Sequence, residues 1–221
     1  MQSVSERFLR YVSFDTQSDE ASETCPSTAK QKILGAALVE EMKAMGIEDA
    51  RMDEHGYVYG TVPGDPRLPT IGLIAHMDTS PDVSGANVKP QIVKYEGEDI
   101  CLNEEKSIFL TKTDYPSLEN YIGDDLIVTD GTTLLGADDK AGIAEILTVM
   151  ETLIKENIPH GPLCVAFTPD EEIGTGAAHF DVERFGADFA YTMDGEVEGE
   201  IQYESFNAAK AVFDITGFSV H

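Results

Sequence analysis

The chain has 221 residues, 42% of them hydrophobic, which is enough for one sizeable core and one to two domains. Its 41 acids against 15 bases give a net charge of −26, which excludes the basic patch that nucleic acid or an anionic membrane surface would require. Cys25, Cys101 and Cys164 are widely spaced and odd in number and so are not a disulfide framework, no run is apolar for long enough to span a membrane, and Met1–Arg10 does not read as a secretory signal, so the expected setting is the cytoplasm.

In chain order, Ser5–Val12 reads as a short helix and Ser27–Met45 as a longer one, with Ser27 as its cap, Gly46 just past its end and Ile33, Leu34, Ala37, Leu38 and Met42 as its apolar stripe. Ala50–Met52 and Tyr57–Val62 flank the turn Glu54-His55-Gly56 as a hairpin, and Thr70–Ala75 is a buried strand. Residues 80–123 mix charged and aromatic side chains and are expected to be an irregular excursion with short strands. Lys140–Asn157 carries Ile143, Ile146, Leu147, Met150, Leu153 and Ile154 at helical spacing, with Glu145, Glu151, Lys155 and Glu156 on the opposite face. Leu163–Thr168 is a strand in which Cys164 is a buried structural thiol, Gly176–Phe185 a short helix, Phe189–Met193 a strand, and Ile201–Asn207 and Ala211–Thr216 two further strands. Alternating strands and helices predict an α/β fold, a mixed β-sheet with helices on both faces.

Four acid-rich signatures are each expected where an apolar strand-like run ends: His76-Met77-Asp78, Gly136-Ala137-Asp138-Asp139-Lys140-Ala141-Gly142, Pro169-Asp170-Glu171-Glu172-Ile173-Gly174 and Met193-Asp194-Gly195. In an open α/β sheet such ends converge at the carboxyl edge, where these folds place their sites. Gathering Asp78, Asp138, Glu171, Glu172 and Asp194 at one edge raises carboxylate pKa values by mutual repulsion unless cations compensate, and two divalent ions would do so. One imidazole among several carboxylates suits zinc, with manganese or cobalt as weaker options, in an open hydrolytic site rather than a closed structural one. Two-residue spacing puts His76 and Asp78 on one face of a strand, whereas adjacent Glu171 and Glu172 must diverge. His55, His160 and His179 lie on turns, a loop and a short helix and read as ordinary surface residues.

These signatures, together with Asn87-Val88-Lys89-Pro90-Gln91-Ile92-Val93, Thr129-Asp130-Gly131 and Ile158-Pro159-His160-Gly161, resemble the M20 family of dinuclear zinc peptidases, in particular its tripeptide aminopeptidases. The resemblance covers nearly the whole chain and implies two Zn2+ ions per complete site: His76 and Asp194 on the first, Glu172 on the second, Asp138 bridging both. It implies Glu171 as general base and Asp78 as the residue that orients His76, and a non-proline cis peptide between Asp138 and Asp139. It implies hydrolysis of tripeptides at their N-terminal residue, with a related carboxypeptidase or amidohydrolase, or a catalytically silent metal- or partner-binding module, as alternatives. Family members supply a late histidine for the second ion, so the chain reads as an N-terminal half. Residues 1–206 are then the catalytic part and 207–221 the first strand of a lid domain through which the complete protein would form a homodimer. By the same resemblance His221 would reach the substrate carbonyl.

Overall fold

Ser3 starts the first helix, α1 (Val4–Tyr11), with a capping box: its hydroxyl accepts from the Glu6 amide while the Glu6 carboxylate accepts from the Ser3 amide. The chain is described from a computed structural model that covers residues 1–195, 197–204, 207, 209 and 211–218. After α1 come α2 (Gln31–Ala44), the hairpin of β1 (Arg51–Met52) and β2 (Val58–Val62), and β3 (Ile71–His76). An excursion follows, with β4 (Gln91–Lys94), β5 (Ile100–Asn103), β6 (Ile108–Leu110), a 3-10 turn (Pro116–Tyr121) and β7 (Asp125–Val128). The chain then returns through α3 (Ala137–Lys155), β8 (Leu163–Thr168), α4 (Val182–Phe185) and β9 (Phe189–Thr192).

The main sheet has the order β1-β2-β8-β3-β9 and is mixed. β2 runs antiparallel to β8, whereas β3 runs parallel to both β8 and β9, with Ile71 opposite Leu163 and Phe189. The three parallel strands therefore end at one edge, and the residues that follow them emerge side by side. β8 is buried at all six positions because both faces are covered, and it reads as a continuous apolar run for that reason. On one face Phe8 and Tyr11 of α1, Leu34, Leu38 and Met42 of α2, and Ile143, Ile146, Leu147 and Met150 of α3 form one core with Val58, Ala75, Val165 and Phe167. On the other, Tyr57, Tyr59, Cys164 and Ala166 are covered by Phe180 and by Phe185 of α4. Buried Arg7 ties α1 to its neighbours, donating to Glu41 of α2 and to Thr148 and Glu151 of α3.

The expected α/β class with a mixed sheet and helices on both faces is the observed one. Several boundaries differ, each for a local reason. Ser27 does not cap α2, which starts at Gln31; the Ser27 amide and hydroxyl are instead bonded to the carboxylate of Asp170. The helix expected over Gly176–Phe185 shrinks to Val182–Phe185, because Asp181 caps it there and the Tyr57 hydroxyl satisfies the Gly176 carbonyl and the His179 amide. β7 lies in a stretch with no expected element and pairs with β4 in a separate ribbon. The strand expected over Ile201–Asn207 lies partly outside the described residues, and neither its described part nor Ala211–Thr216 has a ladder partner among the described residues. Among the described residues no helix is long and apolar enough to cross a membrane.

Candidate metal centre

His76 closes β3 and is buried, at 2% exposed. Its Nδ1 lies 3.0 Å from the main-chain carbonyl of Asp78 and 3.3 Å from that residue's carboxylate, while its own amide donates to Asp139 at 3.1 Å. These contacts fix the ring so that Nε2 faces the open edge, where Asp138 Oδ1 lies at 2.7 Å, Asp194 Oδ2 at 3.9 Å and Glu171 Oε2 at 4.0 Å.

The start of α3 separates two adjacent aspartates. Asp138 and Asp139 have non-helical dihedrals and are joined by a cis peptide, and the regular helix begins after them. Asp138 turns outward to His76, while Asp139 is buried and accepts from the amides of His76 and Gly142. Burial, reinforced by the charge of Asp194, pushes the Asp139 carboxyl up to about 8. Gly142 permits a close approach: a Cβ there would lie 2.2 Å from the Met193 carbonyl and 2.4 Å from Asp139 Oδ1. Its lack of a side chain lets α3 press against the residues that carry Asp194.

The loop after β8 is held from beneath by two buried aspartates. Asp78, with no exposed surface, accepts the amide of Glu171 at 2.9 Å and that of Glu172 at 3.2 Å on its two carboxylate oxygens. Asp170 has a positive φ of 56° and accepts from the Ser27 amide, the Ser27 hydroxyl and the Gln31 side chain. Glu171 and Glu172 are thereby presented to the edge rather than folded onto the sheet. Sequence reasoning did not assign roles to Asp139, Asp170 or Gly142; the signal available for the first was that neighbouring carboxylates must diverge, and for the others there was none short of the fold.

Electrostatics follow from crowding. Glu171, Glu172 and Asp194 are all raised above the ordinary carboxyl range, by burial first and then by neighbouring acids. Burial alone would lower His76, but its hydrogen bonds to Asp138 and Asp78 outweigh that and push it up to about 11, and Asp138 falls in consequence. A single imidazolium is thus surrounded by acids, the situation a divalent ion relieves. Ligand atoms of His76, Asp138 and Asp194 all lie within 4.8 Å of one another, and this set of one nitrogen and two oxygen donors suits a borderline ion. Glu172 stands near enough to Asp138 for that charge to raise its carboxyl. His221 lies outside the described residues.

Residues 130–206 match peptidase family M20/M25/M40. Over its whole length the chain is 60% identical to a protein called peptidase T from Desulfitobacterium hafniense, of which it spans 55%. Among solved structures it is similar to aminopeptidase PepT from Bacillus cereus, with 25% identity and a TM-score of 0.62 over 88% of this chain and 43% of that one. A tripeptidase from Staphylococcus aureus is similar at 29% identity and a TM-score of 0.60, again over 88% of this chain and 43% of the other. The chain spans about half the length of the curated relatives it matches.

Proposed function

We propose that the chain belongs to peptidase family M20/M25/M40, which residues 130–206 match, and that it is the N-terminal part of a two-zinc aminopeptidase that releases the N-terminal residue of tripeptides. The observation that carries this reading is the convergence of His76, Asp138 and Asp194, with Glu171 4.0 Å from the same imidazole nitrogen. His76 and Asp194 would hold the first zinc, Glu172 would belong to the second, and Asp138 would bridge them. When bound, zinc lowers the pKa of water and polarises a carbonyl.

The side chains divide the remaining work. Glu171 has its carboxyl half exposed and raised, so it can take a proton from the water that attacks the scissile carbonyl and return it to the departing amine. Asp78 positions both sides of the reaction: it faces His76 Nδ1 and fixes the Glu171 and Glu172 amides, so base and ligands keep their spacing. Residues 1–206 would form the catalytic part and 207–221 open a lid that supplies substrate contacts, His221 among them, and a dimer interface, in a cytoplasmic protein.

The test is a chimera in which this chain replaces the corresponding part of the Desulfitobacterium hafniense relative. It should cleave tripeptides and bind two zinc ions. Glu171→Gln should lower turnover about 10²–10⁴-fold with zinc content retained, whereas His76→Ala should lose zinc as well as activity. Equal loss of zinc in the two variants would overturn the division between base and ligand.

A further inference from the structure

Away from the carboxylate edge, three distant segments bring a thiol and two imidazoles together. Cys25 comes from the loop before α2, His55 from the turn between β1 and β2, and His179 from the turn before α4. One ligand atom from each lies within 4.8 Å of the other two. The His55 and His179 rings stack at 4.1 Å with 7° between their planes, and the Cys25 thiol donates to the His55 carbonyl at 3.7 Å. Cys25 and His179 also line a cleft of about 360 Å³ that reaches Asp170.

We propose that Cys25, His55 and His179 form a separate zinc site, with a fourth position open to water. The donors are one sulfur and two nitrogens, softer than the nitrogen and two oxygens at the His76 cluster, and thiolate with imidazole favours zinc over magnesium or calcium. Parallel rings do not aim their lone pairs at one point, so capture turns one imidazole. His179 is exposed on its turn and has room to rotate, whereas His55 and Cys25 are half buried and stay in place. The thiol gives its proton to solvent as the metal–sulfur bond forms, and its bond to the His55 carbonyl is exchanged for that ligation.

Such a site would clamp the loop that carries Glu171. Two residues after Cys25, Ser27 donates twice to the Asp170 carboxylate, and four residues before His179, Thr175 donates its amide to the Asp170 carbonyl. An ion bridging Cys25 and His179 therefore ties together the two segments that grip Asp170 on either side.

Cobalt(II) is the probe, titrated into the 221-residue chain after chelator treatment. The His76 cluster has no sulfur ligand, so a thiolate-to-cobalt charge-transfer band in the near ultraviolet reports only a cysteine site. The band should appear and saturate, persist in Cys101→Ser and His76→Ala, and vanish in Cys25→Ser. Changes to groups that merely support a ligand cost about 10–100-fold in metal affinity, so removal of a ligand itself in His179→Gln should weaken cobalt binding by at least about tenfold. His179→Gln, on an exposed turn, guards against a folding defect in Cys25→Ser. No band at saturating cobalt, a band retained in Cys25→Ser, or unchanged affinity in His179→Gln would overturn the site.

Discussion

Asp78 carries an unusual share of the geometry, and its replacement should be costly in a calculable way. The side chain has no exposed surface, and each oxygen accepts one amide, from Glu171 at 2.9 Å and Glu172 at 3.2 Å. A buried donor left without a partner costs about 1–3 kcal/mol, so Asp78→Ala, which orphans both amides, should destabilise the chain by about 2–6 kcal/mol. Asp78→Asn keeps one acceptor, now neutral, and turns an amide N–H toward the other donor. Weakening one bond by about 1 kcal/mol and orphaning one amide gives about 2–4 kcal/mol. Urea unfolding in chelator isolates this effect from metal binding, and calorimetry on the folded variants should find zinc affinity at the His76 cluster about 10–100-fold lower. Both variants unfolding within about 0.5 kcal/mol of the parent, as surface changes do, would refute the reasoning, because the two amides would then have other partners.

Zinc affinity at the His76 cluster should fall about tenfold for each pH unit below neutrality, since metal-free His76 is protonated up to about 11 and the ion must displace that proton; calorimetry at several pH values that found a flat affinity would contradict this. Lys155 first, and then Arg7, hold Glu151 down to about 2 from 4.5; a depressed folded-state carboxyl adds stability above its unfolded pKa, so acid should remove that stability between about pH 4.5 and 2, as followed by circular dichroism. Arg7→Met should cost about 3 kcal/mol in urea unfolding, the low end of the range for breaking a buried pair, because Arg10 and Lys155 still meet the two carboxylates. Gly142→Ala should cost about 1–3 kcal/mol by overpacking against Met193 and should weaken zinc binding by displacing Asp194; a variant with parental stability and affinity would show that the contact yields freely.

Much of the architecture was legible because it is written in short-range patterns. The apolar periodicity of α3, the continuous apolar run of β8 and the hairpin around Glu54-His55-Gly56 each reflect burial that a local window detects. So does the placing of His76, Glu171 and Asp194 just at or after strand ends, since parallel strands deliver their following residues to one edge. What a window cannot contain is a partner far away in sequence. Ser27 reads as a helix cap, the commonest local use of a serine in that position, yet its bonds run to Asp170, 143 residues on. The turn at residues 176–180 reads as helix until Tyr57, just before β2, satisfies its backbone. Cys25, His55 and His179 read singly as unremarkable side chains, and only the packing of three loops brings them within ligand distance. Residue types and their spacing thus determined the fold class and the acids available for chemistry. The tertiary structure alone decided which acids face the edge and which support it from below, because that choice depends on hydrogen bonds between segments that the chain order keeps apart.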